Sequence, residues 1–193
     1  MALKRRGVSI VYEVNRIEAY QKLMRKCPDD KLSMKFVINK LENMGFFTAP
    51  ASTRYHGVYE GGLFDHSLEV TKYLIDLTEK LDIKWANPRS PYVVGMFHDL
   101  CKCDSYLDTG EVDGKTVYTY NNETLLKGHG DKSVMLLSSI ISLTDEEVAC
   151  IRYHMGAFTK KKEWNNYTRA VHKYATVLYS HTADMLASHV KGV

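Results

Sequence analysis

Apolar residues recur at three- and four-residue steps along most of the chain, the period of amphipathic helices. A first helix is predicted from about Ser9 to Arg25. A second should follow Pro28-Asp29-Asp30, where an aspartate can cap free backbone N–H groups, and should carry Leu32, Phe36, Val37, Leu41 and Met44. Thr48 to Glu60 reads as a loop. Gly61-Gly62 then open a long helix with Leu63, His66, Val70, Tyr73, Leu74 and Leu77 on one face. Ser90-Pro91 start a fourth helix, proline standing where its missing N–H does no harm, and this helix is expected to contain Val94, Phe97, His98, Asp99 and Lys102. From Tyr106 to Asn121 the period changes to alternation around Asp113-Gly114, which predicts a short β-hairpin. Helices resume near His129. Thr144 and Glu147 form a capping-box pattern ahead of Val148, Ile151 and His154, and a last helix is expected over roughly Tyr167 to His189.

The resulting class is all-α, a helical bundle with a small hairpin insertion. At 193 residues the chain suits one domain with a substantial core and is short for two. No repeat, low-complexity tract or flexible linker marks a boundary. The formal charge of +3 tolerates anionic ligands but lacks the strongly basic signature of a dedicated nucleic-acid binder. Met1 to Arg6 are basic, yet the apolar run Val8 to Tyr12 is too short for a signal peptide or a membrane span, so a cytoplasmic location is expected. Cys27, Cys101, Cys103 and Cys150 are read as reduced core or bystander thiols, because Cys101 and Cys103 have the wrong spacing for a zinc knuckle.

A lone histidine on an apolar helical face is usually a satisfied core residue. His66 shares a face with Leu63, Val70 and Leu77, His98 lies one turn after Val94, and His154 follows Ile151. Asp184 sits on an apolar face seven residues after Val177, where an unpartnered carboxylate would be costly. With His129 and Asp99 the inward set becomes four histidines and two aspartates in one small core. Imidazole plus carboxylate suits Fe, Mn, Ni, Co or Zn, and ligands drawn from separate helices suit a site in the middle of a bundle. Asp99 follows His98 directly, so a bridging carboxylate could serve two neighbouring metals.

His66, the pair His98-Asp99 and Asp184 resemble the H…HD…D signature of the HD superfamily of metal-dependent phosphohydrolases. The bare pair is weak, but its surroundings are more specific: His56-Gly57-Val58-Tyr59-Glu60-Gly61-Gly62-Leu63-Phe64-Asp65-His66, Phe97-His98-Asp99-Leu100-Cys101-Lys102 and His181-Thr182-Ala183-Asp184-Met185-Leu186. These are similar to bacterial HD phosphohydrolases that include 3′-to-5′ exoribonucleases. Gly128-His129-Gly130-Asp131-Lys132-Ser133 and Arg152-Tyr153-His154-Met155-Gly156 resemble the two further histidine motifs of dinuclear members. The resemblance covers about residues 50–190, the expected HD core, with 1–47 as N-terminal helices packed on it within a single domain spanning 1–193.

The resemblance implies two divalent transition-metal ions, one held by His66, His98, Asp99 and Asp184, the other by Asp99, His129 and His154. It implies hydrolysis of a phosphomonoester or phosphodiester, with a nucleotide or short nucleic acid as the expected substrate. Asp99, Lys102 and His56 are the expected catalytic residues: Lys102 to neutralise phosphate charge or orient the nucleophile, His56 to contact a phosphate oxygen or protonate the leaving group. HD-fold di-iron oxygenases use the same donor set and form the alternative. The exoribonucleases carry a nucleic-acid-binding domain ahead of the HD domain. Here about fifty helical residues stand in its place, so a small phosphorylated substrate is favoured over processive RNA degradation. His181 reads as a packed polar residue or as a partner orienting a ligand. His172 and His189 read as surface. Lys160-Lys161-Lys162 with Trp164 and Tyr167 form either a solvated loop or a nucleotide-holding one, and the hairpin either a lid or an insertion.

Overall fold

The computed structural model describes residues 7–193, with side chains described from residue 15 onward. The basic run Met1 to Arg6 and the side chains of Val8 to Tyr12 lie outside the described residues. Eight α-helices and one antiparallel hairpin are present among the described residues, which makes the fold all-α with a small β insertion. None of these helices is long and apolar enough to cross a membrane.

Helix α1 (Gly7–Met24) lays Tyr20 and Met24 into the core. The predicted second helix is two pieces. Asp29 accepts from the Lys31 N–H at 3.1 Å and caps a single 3-10 turn over Asp30–Ser33, and α2 (Lys35–Asn43) begins only afterwards. That break rotates the buried face to Val37, Ile38 and Leu41 and leaves Phe36 58 % exposed beneath Lys40, contrary to the sequence expectation. Phe46, Phe47, Phe64, Phe97 and Tyr20 then meet in edge-on and tilted contacts; Phe46 and Phe64, for example, are 5.9 Å apart at 88°. Truncating one such ring to alanine costs about 3–5 kcal/mol. The N-terminal layer is therefore part of the same core as the helices that carry the site.

Helix α3 (Gly62–Lys80) and α4 (Ser90–Phe97) approach closely at Gly95, where a Cβ would lie 2.5 Å from the Thr71 Cα. Only glycine permits this crossing, which brings His66 of α3 beside the end of α4. Arg16 of α1 grips the Asp65 carboxylate with two hydrogen bonds and fixes the first turn of α3. At the opposite end Arg89 joins Glu147, Asp29 and the Ser142 carbonyl. Glu147 belongs to the predicted capping box, observed with Thr144 at the start of α6 (Asp145–Arg152).

Two further expectations change. Helix α4 ends at Phe97, so His98 is its cap and Asp99 and Lys102 lie in the turn beyond, the latter within a 3-10 segment over Leu100–Asp104. The long last helix is interrupted at Tyr174, whose backbone is extended, giving α7 (Trp164–Lys173) and α8 (Thr176–Met185). Thr176 donates to the buried Glu146 carboxylate at 2.7 Å, and this tether sets where α8 starts. Helix α8 runs on through a wider turn over Leu186–Lys191. The hairpin falls where the alternation predicted it, β1 (Tyr106–Val112) and β2 (Lys115–Tyr120), joined through Asp113-Gly114, both at positive φ. Helix α5 (His129–Ser138) begins with a histidine.

Candidate metal centre

The site forms where α3, the end of α4, the start of α5, the turn after α6 and the last turn of α8 converge. His66 and Asp184 lie within helices, whereas His98, Asp99, His129 and His154 all stand at helix ends. Helix ends leave backbone carbonyls free, and these carbonyls orient the imidazoles. His98 Nδ1 donates to the Gly95 carbonyl at 2.9 Å, His154 Nδ1 to the Ile151 carbonyl at 2.7 Å, and His66 Nδ1 to the Val193 carbonyl at 3.0 Å. A carbonyl only accepts, so Nδ1 carries a proton in each ring, and in the neutral ring Nε2 keeps its lone pair. The fourth imidazole, His129, meets the Cys101 thiol at 2.7 Å through Nδ1.

All four Nε2 atoms point toward Asp99, which lies 2 % exposed at the centre. Its Oδ2 faces His66 at 3.7 Å and His98 at 3.5 Å. Its Oδ1 faces His129 at 3.2 Å and His154 at 3.4 Å. Asp184 Oδ1 closes the first side, 3.3 Å from His66 Nε2 and 4.0 Å from His98 Nε2. Asp99 Oδ1 and His154 Nε2 are buried without a hydrogen-bond partner, a pair of electron-pair donors side by side. Buried donors without partners are costly, and a cation between them removes the cost. Three groups of side chains bring ligand atoms within 4.8 Å of one another and can hold metal: His66, His98 and Asp99; His98, His154 and Asp184; Asp99, Cys101 and His129.

The electrostatics match ligands ready for a cation. Burial alone would raise the Asp99 carboxyl, but the Lys102 ammonium at 2.6 Å and the imidazoles of His98 and His129 outweigh it and hold it well below the usual carboxylate range. Asp184 is also raised by burial and pulled down further by its hydrogen bond with His66 and by His98. Burial pushes His98 down to about 3, so its ring is neutral at physiological pH. Lys102 loses by burial and gains more from Asp99, and it stays charged. Lys102, expected to neutralise phosphate charge or orient the nucleophile, has its ammonium on Asp99 in the structure.

A cavity of about 150 Å³ opens on the site, lined by His56, Asp99, Lys102, His129, His181 and Asp184 among others. His56 stacks at 4.7 Å against His66, with Nε2 buried and unpaired, and burial ahead of the nearby charges of His66 and Lys102 pushes it down to about 4. His181 Nδ1 donates to the His154 carbonyl at 2.9 Å, which ties α8 to the turn that holds His154. His189 is exposed as expected but lines the cavity mouth, a placement that its sequence context did not signal. Cys101 was likewise missed as a neighbour of the site: a thiol two residues from Asp99 has no helical spacing to flag it. Cys27 and Cys150 are buried far from this chemistry in the sense expected, and all four thiols are free. Lys160, Lys161, Lys162, Trp164 and Tyr167 do not line the cavity. His172 is exposed.

No family model and no solved structure matches the chain. Among curated proteins it is similar to the dihydroneopterin 2′,3′-cyclic phosphate phosphodiesterase of Methanocaldococcus jannaschii, 29 % identical over 82 residues. The aligned stretch covers 40 % of this chain and 33 % of that protein, so the chain is matched to a third of its relative's length. The protein is thus a distant relative of a phosphodiesterase, with side-chain clusters fit to hold metal.

Proposed function

We propose that this protein is an HD-type, metal-dependent phosphohydrolase that cleaves a phosphoester bond in a small phosphorylated substrate. The observation that carries the reading is the Asp99 carboxylate, which offers one oxygen to His66 and His98 and the other to His129 and His154. One metal would be held by His66, His98, Asp99 and Asp184, a second by Asp99, His129 and His154, drawn from Fe, Mn, Ni, Co or Zn. Paired cations supply a nucleophilic water at neutral pH and charge stabilisation for phosphoryl oxygens.

The chain's own residues do the rest. Lys102, paired with Asp99, lines the same cavity and would meet a phosphate oxygen there when bound metal compensates the Asp99 charge. His56, neutral and unpaired at Nε2, lines the cavity, which supports a role in contacting the substrate phosphate there. Residues 50–190 form the catalytic core in this reading, and the described side chains of residues 15–47 pack against it as part of one domain. The relative's name supports phosphoester chemistry over the di-iron oxygenase alternative, which needs the same donors.

The test is reconstitution with Mn²⁺, Fe²⁺, Co²⁺ or Ni²⁺ and assay against a generic aryl phosphate ester and a diester. Hydrolysis that chelation abolishes is expected. Absence of hydrolysis with every metal, with dioxygen uptake in the iron form, would replace this reading by the oxygenase.

A further inference from the structure

The four imidazoles of the site are not held alike. His66, His98 and His154 are restrained twice, by a backbone carbonyl on Nδ1 and by packing that leaves their side chains no more than 2 % exposed. His129 is different on both counts. Its side chain is 37 % exposed, and what stands at its Nδ1 is the Cys101 thiol, at 2.7 Å, in place of a carbonyl.

Backbone contacts bring the thiol there. Cys101 lies buried in the 3-10 segment that follows Asp99. Its N–H donates to Ser133 Oγ at 3.0 Å, and the same hydroxyl donates to the His129 carbonyl at 3.2 Å. One buried serine thus ties the turn after Asp99 to the first turn of α5 and sets the spacing between them. That turn of α5 is also pressed against the end of α6, since a Cβ on Gly130 would lie 2.2 Å from the Arg152 carbonyl oxygen. The His129 backbone is therefore fixed from two sides, and the remaining variable is the direction of its ring. Its Nε2 lies 3.2 Å from Asp99 Oδ1, which is buried without a hydrogen-bond partner beside the equally unpartnered His154 Nε2 at 3.4 Å. For His129 Nε2 to offer a lone pair at that point, the neutral ring must carry its proton on Nδ1, where sulfur is the acceptor. A thiol sulfur accepts weakly, so His129 is the least firmly oriented of the four rings.

We infer that Cys101 is the positioning residue of His129: its sulfur accepts the Nδ1 proton, turns Nε2 toward Asp99 Oδ1 and so governs occupancy of the second metal. Expected from its spacing to be a bystander thiol, Cys101 acts through the ring it holds and touches neither metal nor substrate. The first metal, whose imidazoles His66 and His98 lean on carbonyls, is indifferent to it. This inference rests on the two-metal reading of the site, but metal affinity is a binding property that needs no turnover.

The test titrates the chelator-stripped protein with Mn²⁺ by calorimetry and follows the bound ions by electron paramagnetic resonance. The wild type should take up two ions that give the signal of an exchange-coupled pair. Cys101→Ala should weaken the second ion about ten- to hundredfold and leave the first unchanged, so that the coupled signal gives way to that of an isolated ion. Cys101→Ser keeps an acceptor at the same position and should restore most of the second affinity together with the coupled signal. A residue that merely filled space would not be rescued in this way, and its loss would weaken both ions together. Two ions held by Cys101→Ala as tightly as by the wild type, equal weakening of both, selective loss that serine does not restore, or a wild type that takes a single ion overturns the inference. The first three leave the phosphohydrolase reading standing if phosphoesters are hydrolysed. Selective loss with rescue by serine, in a protein that hydrolyses no phosphoester, upholds the role of Cys101 and sinks the reaction instead.

Discussion

Replacing Lys102 by methionine should destabilise the metal-free protein strongly and the metal-loaded protein weakly. The ammonium is 2.6 Å from Asp99 Oδ2, and the two side chains are 9 % and 3 % exposed. Removing one member of a buried ion pair leaves the other uncompensated and costs about 3–5 kcal/mol. His98 and His129 also lie near Asp99, and as hydrogen-bonding groups they soften the loss, which favours the lower end, about 3 kcal/mol. With metal bound, the cations compensate Asp99 and the penalty largely disappears. The thermodynamic cycle then requires metal to bind Lys102→Met more tightly than wild type by the difference, roughly a hundredfold for about 3 kcal/mol. Urea unfolding in chelator and in saturating Mn²⁺, together with calorimetric titration of the metal, measures every side of the cycle. Turnover should fall, because the same ammonium is the group freed to meet the phosphate. Equal destabilisation with and without metal, or unchanged affinity, would refute the argument that Lys102 stands in for a cation.

Metal counting by mass spectrometry should find both ions lost in Asp99→Asn and one retained in His154→Ala; two ions bound to Asp99→Asn would remove the bridging role. Metal-free protein should lose stability as pH falls below about 6.5. The folded-state values of His98 near 3 and His56 near 4 lie beneath the ordinary imidazole value of 6.5, so the unfolded chain takes up protons first. Asp99 and Asp184, both held low, extend the loss below about 3.8. A flat urea midpoint between pH 7 and pH 4.5 would contradict the burial of these rings. Gly156→Ala should cost about 1–3 kcal/mol, because φ is +53° there and the added Cβ would run into the His181 ring. Its melting temperature should drop in metal-free and metal-loaded protein alike, and no drop would mean that the turn after α6 is free to move.

Helix existence, the hairpin and the inward direction of His66, His98 and His154 were legible because each follows from a local period, whereas His129, expected inward, is exposed. Leu63, His66, Val70 and Leu74 repeat at helical spacing, and all four are buried on α3. Thr144 and Glu147 sit three residues apart, the separation at which each side chain reaches the other's backbone N–H. Asp113-Gly114 favours the positive φ angles of a tight turn. The six metal-ligand candidates were nameable from residue type and context, since unpartnered carboxylates and imidazoles are rarely placed on apolar faces.

What the chain alone determined, then, is which residues turn inward and which segments are helical. The tertiary structure decided how those residues meet. Nothing local says that α4 ends at Phe97 or that the last helix breaks at Tyr174; the second is settled by a contact far along the chain, the tether from Thr176 to Glu146. The division of Asp99 into one oxygen for His66 and His98 and another for His129 and His154 depends on five segments arriving together. The Lys102 ammonium on Asp99 and the Cys101 thiol on His129 are of the same kind. Periodicity is a property of neighbours within a helix or strand, whereas a site is a property of distances between them, and only the packed core sets those distances.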